Sequence, residues 1–393
     1  MTLAYTKDQI ETVLSQVAST INISDELFQS AEDEYHSLGA WIAKKVQEDE
    51  EDYDVHIYPQ GSFALGTVIK PISEQDDYDL DLVCEITNGE GIQAVELKLQ
   101  IVKPWITGYK EVDKIEEKRR CWHVEYKDVA HFHMDVIPAL HIGDSDDTRI
   151  AITEKNEDAD ANTVQYNFIG SNPKGYVRWF FQYCRQKKNV RPFAGSTERA
   201  STEQEDLKQN KNKTTLQKAV QLLKRHRDIM FMDDETNSKP ISILITTLAG
   251  QVYEGESTIY ETIINFIDKV PSYLEKTKKD GFYYVENPSF KGENFADKWK
   301  EHPERQKAFF AWIDKLRNDF NYDLLRFYNR VDMGTHTKEV FGNAAGIAAY
   351  STLGKLESTA VSNGDLKVNT STGSLSKSGS IKVPVSHHYG EIH

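Results

Sequence analysis

The amino-acid sequence predicts an α/β (α+β) protein in which a small mixed sheet is braced by N-terminal helices and followed by a helical domain. Apolar residues recur at helical spacing within the first fifty residues. The segment 78–86 instead alternates polar and apolar residues, as a half-buried strand does. From residue 214 onward the spacing is helical again. This order of signals predicts a sheet-containing core and then a helical domain.

The first long element is a helix with a recognisable start. Ser24 is suited to cap it, and the acidic residues Asp25 and Glu26 follow in the first turn, where the helix dipole favours negative charge. One stripe of apolar residues then recurs every three or four positions: Leu27, Ala31, Tyr35, Leu38, Ile42 and Val46. We expect this face to pack against the core.

Short strands and a turn follow this helix. Residues 56–58 form a candidate strand, and the two glycines within 60–67 predict a tight turn that opens a short helix. Residues 120–127 and 131–138 have strand composition, and the link 128–130 is short enough for a hairpin.

The remaining segments are predicted from composition and spacing. The polar, acidic stretch 144–165 is expected to be a surface loop, 175–183 a helix, and 186–213 a flexible connector. Beyond it lie the helical stripe of Leu216, Val220, Leu223 and Met230 and three further helix candidates, 240–254, 256–270 and 304–330.

We therefore divide the chain into three parts. Residues 1–205 form the sheet core with its N-terminal helices, and residues 206–355 form a helical domain that closes a cleft over the core. Residues 356–393 are rich in Ser, Thr, Gly and Lys, which predicts a mobile polar tail.

Composition limits the classes of function. The 393 residues carry 47 Lys and Arg against 62 Asp and Glu, a formal net charge of −15, which argues against a protein that coats nucleic acid. No run of 18 apolar residues predicts a membrane span, and the N-terminus lacks the pattern of a secretory signal. The three cysteines are far apart and odd in number, so we expect no disulfide framework and a cytoplasmic location.

A group of carboxylates carries the strongest chemical signal. Asp79 and Asp81 are two positions apart in a predicted strand and therefore point to the same face. Asp135 lies in another predicted strand, and pairing of the two strands would bring three carboxylates together. The turn at Gly61 and Ser62 can supply backbone N–H groups and a hydroxyl for a triphosphate.

Three like charges in one patch repel each other unless a cation neutralises them. Carboxylate oxygens suit Mg²⁺ or Mn²⁺, and both ions also bind substrate phosphates. Two such ions about 3.5–4 Å apart stabilise the attacking and leaving oxygens of an in-line displacement at phosphorus. The pattern therefore indicates phosphoryl chemistry, although solvated surface carboxylates explain most isolated Asp-x-Asp pairs.

Two other kinds of site match parts of this pattern. The stretch GSFALGT at 61–67 is similar to a nucleotide phosphate loop, but Thr67 follows Gly66 directly and the lysine is missing, which excludes that loop. His131 and His133 share the strand face of Asp135, so a His/Asp zinc site is an alternative. Histidines that only hydrogen-bond locally explain the same pattern.

Together these residues resemble a known family. Gln60, Gly61 and Ser62, followed by Asp79-Leu80-Asp81 and Asp135, match the signature of polymerase-β-like nucleotidyltransferases. The sequence is most similar to the bacterial cyclic GMP-AMP synthase/DncV-like nucleotidyltransferases, the CD-NTases of CBASS anti-phage systems. The resemblance spans roughly 58–249 and includes the phrases QGSFALGTVIKP, DDYDLDLVCEI, LQKAVQLLKRHRD and PISILITTLAG.

The resemblance implies roles for single residues. It implies that Asp79, Asp81 and Asp135 are the catalytic ligands of two Mg²⁺ ions. It also implies that Gln60 and Ser62 bind the donor triphosphate. By the same resemblance Lys224 contacts the donor phosphates, joined by Ser242 from the next helix.

From the residues alone, the roles of the last two remain open. Lys224 fits a solvated helix face equally well, and Ser242 fits a helix cap after Pro240. The family's base-stacking aromatic is replaced by Ile243, so no stacking residue is predicted. The zinc insert of the animal DNA sensor is not visible, which with the net charge argues against activation by double-stranded DNA.

Three hypotheses follow. The first is a synthase that makes a cyclic di- or trinucleotide second messenger from ATP, GTP or other NTPs. The resemblance then implies a downstream effector protein and a CBASS accessory protein as partners, and no membrane partner. The second is a nucleotidyltransferase that modifies RNA, a small molecule or a protein side chain. The third is a nucleotide sensor without activity, which the presence of all three carboxylates disfavours.

Overall fold

The fold is seen in a computed structural model that describes residues 5–48, 52–73, 78–109, 112–126, 132–144, 147–158, 163–185, 213–326, 328–365, 367–368, 375–376 and 381–382. The strands are β1 (Val55–Pro59), β2 (Tyr78–Ile86), β3 (Val112–Glu117), β4 (Trp122–Tyr126), β5 (Phe132–His141), β6 (Ile150–Asp158), β7 (Thr163–Ser171), β8 (Lys367–Val368), β9 (Leu375–Ser376) and β10 (Ile381–Lys382).

Helices occupy most of the remaining described chain. They are α1 (Lys7–Ile21), α2 (Asp25–Glu48), α3 (Gly61–Ala64), a π-helix (Glu96–Val102) that continues as α4 (Lys103–Thr107), α5 (Pro173–Cys184), α6 (Thr215–Met230), α7 (Ser242–Val252), α8 (Ile259–Lys276), α9 (Pro303–Asp319), α10 (Tyr322–Leu325), α11 (Arg330–Phe341) and α12 (Asn343–Ser362). None of the helices in these ranges is both long and apolar enough to cross a membrane.

A mixed sheet organises the first half of the chain. Its order is β1-β2-β5-β4-β3, with β6 beside β5 and β7 beside β6. The pair β2 and β5 is parallel, and the other pairs are antiparallel. Because β4 and β6 pair with successive parts of the same edge of β5, the turn before β4 lies close to β6. The backbone N–H of Lys155 donates to the Arg119 carbonyl there (2.8 Å).

The helix α2 braces one face of this sheet, as its apolar stripe predicts. Five of the six stripe residues are buried in a core shared with β2, β4 and β5. The predicted cap is also present, since Ser24 Oγ accepts from the Leu27 N–H at 3.2 Å. Burial of an amphipathic face, rather than helix propensity, provides most of the stability of such a helix.

A second core joins elements from both ends of the chain. Apolar residues of α1 and α5 pack with those of α6, α7, α8, α9, α11 and α12. The predicted helices 240–254, 256–270 and 175–183 correspond to α7, α8 and α5, whereas the candidate 304–330 is divided into α9 and α10. The proposed boundary at residue 206 lies outside the described residues, and so does the predicted connector 186–213 except for its last residue.

Two sequence-based expectations are wrong. The expected loop 144–165 contains β6 and the start of β7, because Ile150 and Ile152 pack into a small core under the sheet while the outer strand residues remain polar. The expected mobile tail begins too early: α12 continues to Ser362, and its buried residues Ala349 and Leu353 pack in the helical core. Short strands at 367–368, 375–376 and 381–382 then form a small separate sheet.

Candidate active site

The strand register places the three carboxylates together. Asp81 is paired with Asp135 across the parallel strands β2 and β5, and Asp79 lies on the same face of β2. Leu80 and Met134 point to the opposite face and are buried in the sheet core. The alternation of the two strands therefore fixes an acidic patch on one side of the sheet and an apolar layer on the other.

Electrostatic repulsion within this patch falls mainly on Asp81. Burial raises its pKa to about 7, with further contributions from the negative charges of Asp135 and Asp79. The positive charges of Lys224 and His133 oppose this shift. Asp79, whose side chain is 70% exposed, has a lowered pKa because His133 hydrogen-bonds to it.

Two histidines engage the outer carboxylates. His123 Nδ1 lies 2.8 Å from Asp135 Oδ1, and His133 Nε2 contacts Asp79 Oδ1. The two imidazole rings lie together, with centroids 4.3 Å apart. Each histidine engages one oxygen of its carboxylate, and a carboxylate has lone pairs on both oxygens.

His123 was not singled out from the sequence, although a signal exists. A hairpin centred on the predicted link 128–130 places residue 123 opposite Asp135, which is the observed register of β4 and β5. His131 lies outside the described residues. Among the side chains that the structure describes, no three His, Cys, Asp or Glu groups are already arranged around one metal position.

The Gly-Ser turn approaches the carboxylates closely. Gly61 begins α3 with φ of +62°, and a Cβ on it would overlap Asp81 Oδ2. The backbone N–H of Gln60 donates to the Asp81 carbonyl at 2.8 Å, which ties the turn to β2. Only glycine combines this backbone conformation with so close an approach. Ser62 follows directly and lines the cavity beside the acidic patch.

Lys224 and Arg227 bring positive charge to the same cavity from α6. Lys224 is only 6% exposed, and its Nζ donates to the Thr67 carbonyl at 3.0 Å. Burial, together with the charge of Arg227, lowers the pKa of Lys224 to about 8. Lys224 is therefore a buried side chain of the cavity, and the alternative of a solvated helix face is wrong.

Ser242 is the first residue of α7 and does not cap that helix, whose N-cap is Ile241. Its Oγ accepts from Arg227 Nη1 at 3.0 Å, and the same nitrogen donates to the Pro240 carbonyl at 2.8 Å. Arg227 therefore positions the start of α7 and is a site residue that the sequence analysis missed. Its spacing of three from Lys224 along one helix was the available signal.

These residues line one cavity of about 760 Å³, within the usual size of ligand sites. The acidic pair Asp79 and Asp81 and the basic pair Lys224 and Arg227 both line it. Asp135 is adjacent to Asp81 but is not part of the lining. The carboxylate oxygens of the acidic pair suit a divalent metal ion, and the buried positive charges of the basic pair suit phosphate groups.

Comparison with known proteins identifies this region. Residues 42–138, which include all three aspartates and the Gly-Ser turn, match the model of the nucleotidyltransferase domain of the cyclic GMP-AMP synthase DncV-like family. The chain contains a DncV-like nucleotidyltransferase domain. It is accordingly a nucleotidyltransferase, as the sequence resemblance predicted.

Curated relatives extend the similarity beyond the matched domain. The c-di-GMP synthase of Roseivirga ehrenbergii is 29% identical over 342 residues, which cover 86% of this chain and 85% of the relative. The cyclic dinucleotide synthase CdnG of Bradyrhizobium diazoefficiens is 25% identical over 328 residues, covering 79% and 75% of the two chains.

Solved structures share its fold. The Bradyrhizobium diazoefficiens CD-NTase CdnG in complex with GTP superposes with a TM-score of 0.68 at 21% identity, covering 88% of this chain and 99% of that one. The Vibrio cholerae DncV cyclic AMP-GMP synthase with the linear intermediate pppA(3′,5′)pG gives a TM-score of 0.51 at 15% identity, covering 89% and 94%. The predicted α/β architecture with a C-terminal helical part is confirmed.

Proposed function

We propose that this nucleotidyltransferase makes a cyclic di- or trinucleotide second messenger from NTPs. The observation that carries the proposal is a single cavity in which Asp79 and Asp81 face Lys224 and Arg227. Such a cavity suits a metal-bound triphosphate. The proposal is also supported by the relatives named as a c-di-GMP synthase and a cyclic dinucleotide synthase.

Asp79, Asp81 and Asp135 would hold the divalent cations, for which we propose two Mg²⁺ ions, with Mn²⁺ as a substitute. Bound ions of this kind neutralise phosphate charge and lower the pKa of a coordinated hydroxyl. Burial, together with repulsion from Asp135 and Asp79, raises the pKa of Asp81 to about 7, and this supports the assignment because a bound cation favours the ionised carboxylate.

The chain's own residues would bind and orient the donor. The hydroxyl of Ser62 and the turn at Gln60 and Gly61 hold the triphosphate, and Lys224 places a buried ammonium against it. Ser242 and Arg227 complete this wall of the cavity. Because Lys224, Arg227 and Ser242 are fixed by the hydrogen bonds described above, little reorganisation of these groups is needed when the donor binds.

The transfer itself is an in-line displacement. A ribose hydroxyl oxygen of the acceptor forms a bond to the α-phosphorus of the donor, and the bond from that phosphorus to the bridging oxygen breaks. Pyrophosphate leaves with the electron pair, and Asp135 is the proposed acceptor of the hydroxyl proton. A second transfer within the linear product closes the ring. We further propose that the product signals to an effector protein in anti-phage defence.

The decisive experiment incubates the purified protein with all four NTPs and Mg²⁺ and analyses phosphatase-treated products by mass spectrometry. We expect phosphatase-resistant cyclic products, absent from the Asp79→Ala/Asp81→Ala variant. Linear products alone would redirect the proposal to a polymerising or transferring enzyme that acts on RNA, a small molecule or a protein. Failure of every NTP, with and without phage-infected lysate, would overturn it.

A further inference from the structure

A second cavity of about 700 Å³ adjoins the cavity lined by Asp79, Asp81 and Lys224, which we call the phosphate cavity. The second cavity has no role in the chemistry described so far. The two cavities share Gly61, Leu65, Ile241 and Ile243 as lining residues. A nucleotide whose phosphates lie beside Ser62 therefore has a direct path for its base into the second cavity.

One wall of this second cavity is formed by residues 285–297, which we call the strap. The strap connects α8 with α9 and folds back on itself: the Phe295 N–H donates to the Val285 carbonyl, and the Asn287 N–H to the Glu293 carbonyl, both at 2.8 Å. It belongs in sequence to the helical part of the chain but reaches across to the sheet.

Two contacts fix the strap to the sheet side. Ser289 Oγ donates to the Asn172 carbonyl at 2.9 Å, and Asn172 Nδ2 donates to the Ser289 carbonyl at 3.0 Å. At the tip, the ring of Phe290 rests on Gly170 of β7, where a Cβ would overlap the ring carbon Cζ. The strap is thus held in place at the mouth of the cavity, with an aromatic ring on its lining.

Glu293 gives the strap a specific polar group. Its Oε2 accepts from Asn287 Nδ2 at 2.7 Å, and no hydrogen bond within the described part of the chain engages its Oε1. The carboxylate lines the cavity, and burial raises its pKa despite the Asn287 hydrogen bond and the charge of Arg120. A partly buried carboxylate with a free oxygen is an acceptor in need of a donor.

Positive groups face the same cavity. Arg119 and Arg120 both line it, and each places a guanidinium nitrogen 2.9 Å from Glu154 Oε1. A guanidinium carries five N–H donors in a planar fork, so these contacts leave donors for a ligand. The cavity therefore offers a carboxylate acceptor, guanidinium donors and an aromatic surface.

We propose that the strap reads a guanine base, with Glu293 accepting from the guanine N1–H and N2 amino group and Phe290 packing against the ring. Arg119 and Arg120 lie in the cavity wall that would face the acceptors O6 and N7. The proposal rests on the proposed function and adds the base preference of the same site.

The chemistry of the bases favours guanine. Its Watson–Crick edge presents two adjacent donors, N1–H and the N2 amino group, which match one carboxylate. Adenine and cytosine place a ring-nitrogen acceptor at that edge, and uracil flanks its one N–H with two carbonyl oxygens. An acceptor facing Glu293 would leave the carboxylate unpaired and repel it, and such mismatches carry large costs in specificity.

The test compares GTP with ATP in the full-length protein. Values of kcat/KM for each NTP are measured by pyrophosphate release in the wild type, Glu293→Gln and the control Glu275→Gln, which alters an exposed glutamate of α8 paired with Lys278 outside the cavity. We expect a preference for GTP that falls about 10-fold or more in Glu293→Gln, the worth of a hydrogen bond to a charged group, and is retained in the control.

A second variant separates stacking from base reading. Phe290→Leu keeps an apolar side chain on Gly170 but removes the aromatic face, so KM should rise for every NTP while the preference for GTP over ATP stays. Products without a GTP preference, or a preference unchanged in Glu293→Gln, would overturn the inference and leave the proposed function standing.

Absence of transfer with every NTP would instead count against the proposed function. The inference would then be decided by calorimetric binding of GTP and ATP to the wild type and to Glu293→Gln. Equal affinities of the wild type for the two nucleotides would overturn it, and tighter GTP binding that is lost in the variant would support it.

Discussion

Asp81 and Asp135 are direct neighbours across the parallel strands β2 and β5. This pairing, with Asp79 on the same face, contributes to the raised pKa of Asp81, about 7, and creates a local cost whenever all three carboxylates are ionised. Without a bound cation, this repulsion therefore lowers the free energy of unfolding of the protein.

The first prediction is that Asp81→Asn stabilises the metal-free protein at pH 8. An unfolded Asp has a pKa of about 3.9, so the folded state binds this proton more tightly and stability falls as the pH rises from about 4 to 7. Removing the charge should add on the order of 1 kcal/mol to the free energy of unfolding at pH 8 and little at pH 4.

Thermal unfolding with and without Mg²⁺ provides the measurement. Mg²⁺ should stabilise the wild type and have little effect on Asp81→Asn, while Asp113→Asn, a change at an exposed aspartate of β3, should behave as the wild type. An Asp81→Asn protein that unfolds earlier than the wild type at pH 8 would contradict the argument.

The second prediction concerns His123 as a positioning residue. Its ring holds Asp135 Oδ1 at 2.8 Å, and loss of such an outer partner typically reduces metal affinity or activity by about 10–100-fold. His123→Ala should lower kcat and raise the Mg²⁺ concentration needed for half-maximal rate. His123→Asn, which can donate from a similar position to Nδ1, should recover part of both.

The matched control for this variant is His56→Ala, which removes an exposed histidine beside Asp54. His56 pairs with Glu85, which lies four residues beyond Asp81 along β2. Equal Mg²⁺ dependence in His123→Ala and the wild type would show that the contact is only structural.

The third prediction separates backbone strain from close approach. Gly61 and Gly91 both have positive φ, +62° and +88°, so alanine at either position is strained by about 1–2 kcal/mol. A Cβ at Gly91 meets nothing within 4 Å, whereas a Cβ at Gly61 overlaps Asp81 Oδ2.

In denaturant titrations Gly91→Ala should therefore lose only this strain energy, and it should keep its transferase activity. Gly61→Ala should lose at least as much stability, because its Cβ also displaces Asp81, and it should lose most of its transferase activity. Normal activity in a folded Gly61→Ala protein would mean that the turn does not position Asp81.

The fourth prediction concerns Lys224 and pH. The pKa of Lys224 is about 8, so in the free protein the ammonium loses its proton as the pH rises through 8, and attraction for a triphosphate weakens. KM for the NTP should rise between pH 7 and 9 in the wild type.

Lys224→Met should raise KM about 10-fold or more at pH 7, the worth of a hydrogen bond between charged groups, and Lys224→Arg should restore binding without the pH dependence. Lys307→Met, a change on an exposed face of α9, serves as the control. A KM that is unaffected in Lys224→Met would remove this residue from the phosphate site.

Much of the site was readable from local spacing. The alternation of Asp79 and Asp81 with buried leucines fixed which face they share, and the stripe along α2 fixed its buried side. Both inferences depend only on the spacing of residues along one helix or strand, and this spacing is visible in the sequence. The register of a hairpin centred on 128–130 also places His123 opposite Asp135, so this contact was predictable from the sequence as well.

Other parts required tertiary structure. The sequence predicts a loop over 144–165, where the structure has β6 and the start of β7, because few side chains there reach a core and the polar composition hides the strand alternation. The sequence left Lys224 between a solvated face and a buried site. Packing of α6 against the Gly-Ser turn decided this, since it buries the ammonium against the Thr67 carbonyl.

By itself, then, the sequence determined the carboxylate pattern, the family resemblance and the order of elements, because each depends on neighbours in the chain. The tertiary structure alone decided which distant segments share a cavity: α6 with β2 beside the carboxylates, and Phe290 of the strap with Gly170 of β7. Contacts of that kind arise from the packing of whole elements, and no local pattern of residues encodes them.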